Sequence, residues 1–290
     1  MSLSSLASTD GAVVGALRYP TYEVIPLRGA EEAVAGHVDP AETVRFTVTA
    51  SASFGLNRTI ELAGRLTGWG FRAVPHLAAR QVTDRSHLAD LVAELSERDI
   101  REVFVIGGDA REPAGTFTSA SELLGALAEL GVPFDEVGVA GYPESHPVIS
   151  DDDLARALVD KQGYATYVVS QMCFDPAPVR TWVRAIRERG ITLPVEIGVP
   201  GVAPLTKLLR ISARIGVGES ARFLRSHRGF LKSVATPGPY RPDALLAGLE
   251  TELTDPASGV RGFHIYTFNE LERTEEWRHG LLAELGSAVA

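Results

Sequence analysis

Apolar runs of strand length alternate with segments of helical periodicity along nearly the whole chain, and this alternation constrains the fold more than any single motif. Continuous apolar runs are typical of strands buried on both faces of a parallel sheet, because the helices that follow the strands cover it. Eight such runs occur, at residues 22–27, 44–50, 71–77, 103–106, 137–141, 167–174, 195–199 and 262–268. Eight strands, each followed by a helical pattern, predict an α/β fold, a single (βα)8 TIM barrel, rather than an open sheet.

The helices are predicted from apolar spacing and from the residue types found near helix ends. They are expected at residues 56–69, 84–96, 119–130, 151–161, 177–189, 203–214, 218–226, 242–253 and 270–284. No composition shift, linker or internal repeat divides the 290 residues. One barrel of about 250 residues would use most of this length. Residues 19–290 are therefore expected to form a single catalytic domain, and the polar residues 1–18 a disordered N-terminal tail.

Charge and hydropathy argue against several classes of protein. The net charge is -9 and no run is rich in Lys and Arg, so no nucleic-acid partner is expected. No apolar run reaches the roughly 18 residues that a membrane-spanning helix needs. The N-terminus also lacks the basic region of a signal peptide. We therefore expect a cytoplasmic protein with no membrane partner.

Motifs for metal, phosphate and dinucleotide binding are missing from the sequence. The single cysteine, Cys173, is expected to be a small buried side chain rather than a nucleophile. The seven histidines are scattered, no metal is predicted, and His264 is expected to make ordinary hydrogen bonds. The stretch 107–115 lacks the Gly-Lys-Ser/Thr ending of a P-loop, and neither a Gly-x-Gly-x-x-Gly nor a serine nucleophile elbow is found.

A carboxylate interrupts the first apolar run, where Glu23 lies between Tyr22 and Val24. A carboxyl group that is partly removed from water can hold its proton near neutral pH and act as a general acid. An exposed glutamate at the edge of a sheet would give the same local sequence. Both interpretations are open at this point.

Polar side chains also follow or end several other strands. His76 and Asp109 end the third and fourth strands, and Tyr142 and His146 follow the fifth. The carboxyl ends of parallel strands meet at one rim, so these groups are predicted to surround one mouth of the barrel. Gln171 lies in the sixth run and offers a donor and an acceptor, which suits recognition of a heterocyclic amide edge. A hydrogen-bonded polar residue between barrel layers is the alternative for this glutamine.

Four longer motifs carry a resemblance to a known family. They are Gly-Tyr-Pro-Glu-Ser-His-Pro at 141–147, Val-Ser-Gln-Met-Cys-Phe-Asp at 169–175, Gly-Val-Pro-Gly-Val-Ala-Pro at 198–204 and Phe-His-Ile-Tyr-Thr-Phe-Asn at 263–269. With these motifs the chain resembles the methylenetetrahydrofolate reductase family, which has counterparts of all four in this order. The segments 22–26, 73–77 and 107–109 are also similar to family segments, so the resemblance extends from residue 22 to about residue 273.

The resemblance implies a (βα)8 barrel that reduces 5,10-methylenetetrahydrofolate to 5-methyltetrahydrofolate. It implies that Glu23 is the acid that helps to open the methylene bridge of the substrate. Asp109 would then be catalytic and would also hold the pterin ring, and Gln171 would contact the folate. The cofactor-binding positions that the resemblance implies are Thr49, His76, Tyr142, His146 and Lys161.

Departures from the family bear on the cofactor. Flavin-using members have an arginine that contacts FAD where this chain has Gly107, and their basic pair near the flavin diphosphate is Asp160-Lys161 here. An aspartate beside a diphosphate exchanges attraction for repulsion. The family's Asn-Arg after strand eight is Asn269-Glu270 in this chain, which leaves the contact to the glutamate tail of the substrate open.

We therefore expect NADH or NADPH to pass hydride directly to the folate, in a divergent family member without tightly bound FAD. An FAD-dependent enzyme of the usual ping-pong type is the first alternative, and a folate-binding barrel without catalysis is the second. The expected partners are a tetrahydrofolate derivative and a nicotinamide dinucleotide. Assembly into a homo-oligomer is left open.

Overall fold

Eight parallel strands close into a barrel in chain order in the computed structural model, which describes residues 11–131, 134–144, 146, 149–215 and 239–287. The strands are β1 Thr21–Val24, β2 Arg45–Val48, β3 Arg72–Ala78, β4 Glu102–Ile106, β5 Glu136–Gly141, β6 Tyr167–Ser170, β7 Val195–Pro200 and β8 Val260–Tyr266. Strand β1 pairs in parallel with both β2 and β8, which closes the sheet. The predicted (βα)8 barrel is confirmed.

Helices surround the barrel. The described ones are α1 Ala12–Arg18, α2 Ala30–His37, α3 Gly55–Gly68, α4 Arg85–Glu97, α5 Ala120–Glu129, α6 Asp151–Lys161, α7 Pro176–Glu188, α8 Leu205–Ile215, α9 Asp243–Gly248, α10 Glu250–Thr254 and α11 Leu271–Ser287. The helix predicted over 242–253 is thus divided into α9 and α10, and the helix predicted over 218–226 lies outside the described residues. Within the described ranges, no helix combines the length and the apolar character needed to cross a bilayer.

Side-chain caps fix where several helices begin after the loops at the carboxyl ends of the strands. Asp84 accepts a hydrogen bond from the His87 amide at 2.8 Å, and Ser119 forms a capping box with Glu122. Ser150 and Asp175 cap α6 and α7 in the same way. Each cap satisfies a backbone amide at the helix start, which is worth about 1 kcal/mol.

The prediction of a disordered tail over residues 1–18 is wrong for its second half. Residues 12–18 form α1, in which Val13 and Leu17 are buried. These two apolar residues are four positions apart, so they share one helix face, and α1 contacts β8 and the helices α10 and α11. The segment is short and rich in alanine and glycine, so its apolar helix face could not be recognised in the sequence. Residues 1–10 lie outside the described part of the chain.

The inside of the barrel is filled by side chains. Val74, Phe104, Tyr167 and Val169 pack together there and are buried. Gly138 on β5 faces the Phe104 and Tyr167 rings, and a Cβ atom at this position would overlap both. A glycine at position 138 therefore makes room for two aromatic rings in one interior layer.

Charged residues close the end of the barrel at which the strands begin. This basal charge cluster consists of Arg45, Arg72, Glu102, Glu136, Glu196 and Arg261. The Arg45 and Arg261 guanidinium groups also lie over the Tyr167 ring, at 5.0 and 4.4 Å from its centroid. Buried charges need such mutual pairing, since removing one partner of a buried pair costs about 3–5 kcal/mol.

Candidate active site

The Glu23 side chain lies inside the barrel and opens toward the end at which the strands finish. Along β1 the neighbours Tyr22 and Val24 are fully buried, and the Tyr22 hydroxyl donates to Glu275 of α11, outside the barrel. Glu23 lies between them with 16% of its side chain exposed. A closed barrel has no edge strand. The alternative of an exposed glutamate at a sheet edge is therefore wrong.

Two imidazoles flank the Glu23 carboxyl group. Its Oε2 atom lies 3.4 Å from Nε2 of His264 and 3.8 Å from Nε2 of His76. His76 is buried, with its ring 4.7 Å from the Phe104 ring. Burial lowers the pKa of His76 to about 4, although the Glu23 charge acts in the opposite direction. At pH 7 the His76 ring is therefore neutral and supplies no positive charge to the carboxyl group.

Two further side chains complete this group. The Thr47 hydroxyl is 3.5 Å from Nε2 of His264, and the Tyr266 ring lies 4.9 Å from the His264 ring. Burial raises the pKa of Tyr266 well above its usual value, so the phenol stays protonated, and it donates to the Ser170 carbonyl at 3.1 Å. We call Glu23, Thr47, His76, His264 and Tyr266 the acid cluster.

Sequence reasoning missed three members of the acid cluster, namely Thr47, His264 and Tyr266. A signal was present in strand eight, where His264 and Tyr266 are two residues apart and so face the same side. What the sequence could not show is that β8 pairs with β1 and brings His264 to Glu23, 241 residues away.

Asp109 is held above the mouth by a loop contact. Its Oδ1 accepts a hydrogen bond from the Ala52 amide at 3.3 Å, which joins the loops after β2 and β4. The preceding Gly108 has φ +90°, and a Cβ atom there would lie 3.0 Å from that of Ala78. Glycine therefore suits this turn. The Asp109 carboxylate is exposed at the rim, where a ligand can reach it.

Gln171 lies one residue beyond β6 rather than between barrel layers. Its backbone amide donates to the Gly141 carbonyl at 2.7 Å, and its side-chain Oε1 accepts from the Met172 amide at 2.9 Å. The oxygen is therefore used in fixing the side chain. The half-buried amide nitrogen has two hydrogens to offer to a ligand in the mouth.

Three of the predicted cofactor positions lie in loops or strand ends around the same mouth. Tyr142 follows β5, and its ring meets the His146 ring edge-on at 5.2 Å. Burial raises the pKa of Tyr142 and lowers that of His146. Thr49 follows β2, and its amide donates to the Val24 carbonyl at 3.0 Å, beside Glu23.

Lys161 lies apart from these residues. It is in the last turn of α6, whose first turn follows the mouth loop, so about 15 Å of helix separates it from the mouth. Its side chain is buried, and this burial lowers its pKa to about 8. The neighbouring Asp160 is exposed, and Arg156 of the same helix pairs with Asp153.

Gly107 and the surface of α6 offer little positive charge to the diphosphate of FAD. Gly107 carries no charge, and the exposed groups of α6 are mainly the carboxylates of Asp151, Asp152, Asp153 and Asp160. Among the described residues of α6, the basic side chains are Arg156, which is paired, and Lys161, which is buried. The residues present therefore fit a bound flavin diphosphate poorly.

A possible metal site lies on the outside of the barrel, away from the acid cluster. Glu42, Glu275 and His279 place ligand atoms within 4.8 Å of one another. The Arg278 guanidinium already pairs with both carboxylates. The cluster therefore has its own cation, and we assign no metal to it.

The fold and this arrangement define a class, namely a (βα)8 barrel with a carboxylic acid set among histidines inside its mouth. The family model for methylenetetrahydrofolate reductase matches residues 37–279, and the chain belongs to that family. The matched range begins after Glu23 and after the loop that follows β1. The position of Glu23 therefore rests on the barrel geometry and on the strand-one resemblance.

Individual relatives carry the same description. A protein of Oryza sativa subsp. japonica named "Probable methylenetetrahydrofolate reductase (NADH)" is 23% identical over 266 residues, which cover 79% of this chain and 40% of that protein. "Methylenetetrahydrofolate reductase 1" of Schizosaccharomyces pombe is 29% identical, covering 51% and 25%. "Probable methylenetetrahydrofolate reductase (NADPH)" of Caenorhabditis elegans is 28% identical, covering 58% and 24%. The matches thus span well under half of the length of these relatives.

Proposed function

We propose that this protein reduces 5,10-methylenetetrahydrofolate to 5-methyltetrahydrofolate with hydride from NADH or NADPH. The observation that carries the proposal is the Glu23 carboxyl group, held inside the mouth between two histidines. A carboxylic acid that faces a cleft and is shielded from bulk water is suited to protonate a substrate nitrogen. The family membership supplies the substrate class.

In the proposed reaction Glu23 donates its proton to the nitrogen that leaves the methylene bridge. The C–N bond to that nitrogen breaks, and the remaining nitrogen forms an iminium with the one-carbon unit. Hydride from the dihydronicotinamide then adds to the iminium carbon, which gives the methyl group and oxidised nicotinamide. One proton and one hydride are consumed, so the account balances, and Glu23 is reprotonated from solvent at the partly exposed mouth.

Asp109 and Gln171 are the proposed contacts to the pterin. A reduced pterin presents neighbouring N–H donors and a carbonyl acceptor along one edge. The exposed Asp109 carboxylate can accept from the donors, and the Gln171 amide nitrogen can donate to the carbonyl. Thr49, His76, Tyr142 and His146 are the proposed contacts to the nicotinamide. Because Lys161 lies about a helix length away, we do not place it at the hydride-transfer site.

Direct hydride transfer without tightly bound FAD is the finer part of the proposal. Its support is the acidic surface of α6 and the uncharged Gly107, which offer a diphosphate little attraction. One observation favours the FAD-dependent alternative. The chain retains the family's cofactor-binding positions Thr49, His76, Tyr142 and His146. A cytoplasmic location and assembly into a homo-oligomer stay predictions.

The visible absorption spectrum of the purified protein, combined with an NADH oxidation assay, tests this proposal. We expect a colourless protein that oxidises NADH or NADPH only when methylenetetrahydrofolate is added. A stoichiometric flavin spectrum would move the protein to the FAD-dependent class. Tight folate binding without turnover under either nicotinamide would favour a non-catalytic folate-binding barrel.

A further inference from the structure

Three ionisable side chains form a chain of contacts inside the barrel, from the basal charge cluster to the mouth. Glu196 of β7 places its Oε2 atom 3.9 Å from Nδ1 of His264 of β8. The other ring nitrogen of His264, Nε2, is 3.4 Å from Oε2 of Glu23 of β1. The His264 side chain is 1% exposed, so water does not screen these contacts.

The first contact joins two atoms that lack other partners. Glu196 Oε1 accepts from Arg261 Nε at 2.9 Å and also pairs with Arg45, so two cations contact this oxygen. In the part of the chain that the structure describes, Glu196 Oε2 and His264 Nδ1 are both buried without a hydrogen bond. Buried polar atoms are nearly always paired. A movement of about 1 Å would bring these two to ordinary hydrogen-bond distance.

Such a bond decides which nitrogen of His264 carries the hydrogen. An ionised carboxylate only accepts, so Nδ1 must donate to Glu196, and in the neutral ring Nε2 is then an acceptor. An acceptor nitrogen 3.4 Å from Glu23 can form a hydrogen bond with that carboxyl group only when the carboxyl group carries a proton to donate. When Glu23 has lost its proton, the Thr47 hydroxyl at 3.5 Å can donate to Nε2 instead.

We propose that His264, oriented by Glu196, is a positioning residue that keeps the proton on Glu23 until substrate takes it. The proposal rests on the proposed function only for the destination of that proton. The buried ion pairs of Glu196 then have a second role, because they orient His264 so that its acceptor nitrogen, Nε2, faces the mouth.

The other groups that face this contact leave the assignment intact. His76 from β3 is neutral at pH 7, since burial lowers its pKa to about 4. Tyr266 keeps its phenol proton and directs its hydroxyl to the Ser170 carbonyl. The cations Arg45 and Arg261 are both engaged with Glu196 and Glu136.

The tautomer of His264 can be measured in the free enzyme, without any folate chemistry. In protein labelled with nitrogen-15, the two ring nitrogens of His264 would be assigned through bonds to its own backbone. We expect a neutral ring at pH 7 that carries its hydrogen on Nδ1. A hydrogen on Nε2, or a doubly protonated ring, would overturn the proposal while leaving the proposed reaction untouched.

The Glu196→Gln variant tests the consequence for catalysis. The guanidinium groups of Arg45 and Arg261 require an acceptor at the Oε1 position, so the new amide would direct its NH2 group to His264 Nδ1. His264 would then carry its hydrogen on Nε2 and would stabilise ionised Glu23. We expect the pH above which kcat declines to fall by about one unit, a roughly tenfold change.

Glu136→Gln is the matched control. Glu136 pairs with the same two arginines, at 3.0 Å from Arg45 and 2.8 Å from Arg261, but faces no histidine in the described structure. The control makes the same change of charge, so its pH profile should move much less than that of Glu196→Gln. Equal shifts in the two variants would show that charge alone acts, and would contradict the tautomer mechanism.

Discussion

The chemistry of individual side chains in this protein is set by burial inside the barrel. His76 shows this most clearly, because burial lowers its pKa to about 4, and this neutral ring lies 3.8 Å from Glu23. A protonated His76 would attract the ionised form of Glu23. A neutral one leaves the carboxyl group free to carry a proton, which the proposed reaction needs.

The His76 pKa predicts how stability changes with pH. The unfolded chain binds a proton at His76 below about pH 6.5, whereas the folded protein does so only near pH 4. Stability from this residue is therefore fully present above pH 6.5 and is lost as the pH falls toward 4, by about 3 kcal/mol. Between pH 7 and pH 4, the unfolding free energy of the His76→Gln variant should fall by about 3 kcal/mol less than that of the wild type. Urea unfolding at the two pH values measures this difference.

His37, which is exposed at the end of α2, provides the control for this experiment. The stability of a His37→Gln variant should follow the wild-type pH dependence closely. If the His76→Gln and wild-type curves ran parallel, His76 would not be held neutral in the folded protein.

At the residue level, sequence reasoning reached what depends on local pattern. Glu23 interrupts an apolar run, and Asp109 follows a strand, so both could be predicted as mouth residues. The contact of Glu23 with His264 depends on closure between the first and last strands. Nothing near either residue in the sequence encodes that pairing.

At the level of secondary structure, the strands were predictable and the first two helices were not. The strands are short runs dominated by apolar residues, which stand out from their surroundings. α1 and α2 have seven and eight residues, with only two buried residues each. A pattern of two apolar residues is too short to show helical periodicity. The basal charge cluster was not predicted either, because its six members come from six different strands.

α1 is expected to contribute to stability as part of the folded domain. Leu17 is fully buried where α1 contacts β8 and α11. The Leu17→Ala variant should therefore lose about 2–5 kcal/mol of unfolding free energy, as measured by denaturant titration. The exposed neighbour Arg18 is the matched control, and Arg18→Ala should change the value by less than about 0.5 kcal/mol. Similar losses of unfolding free energy in the two variants would indicate that α1 contributes little to stability, as expected of a disordered tail.

At the level of the whole molecule, the barrel separates two kinds of polar chemistry. The basal charge cluster is a set of mutually paired ions at one end. The acid cluster lies toward the other end, where the Glu23 carboxyl group is partly exposed at the mouth. The buried His264 ring contacts Glu196 of the basal charge cluster and Glu23 of the acid cluster, so it connects the two groups.

The cofactor question also belongs to this scale, because it depends on the surface along α6 as well as on the mouth. Retained mouth residues alone fit either a flavin or a nicotinamide. The acidic face of α6 is the basis on which we propose a nicotinamide without tightly bound FAD, since carboxylates repel a diphosphate.

The proposed reaction requires Glu23 to supply the proton that opens the folate bridge, and the turnover of the Glu23→Gln variant tests this requirement. Glutamine keeps the size and polarity of the side chain but cannot donate that proton. We predict that kcat falls by about 10²–10⁴-fold while the dissociation constant for folate changes only a few-fold. Glu136→Gln, the same substitution at the opposite end of the barrel, should keep most of its activity. A Glu23→Gln enzyme that turns over at a rate close to the wild type would contradict the account.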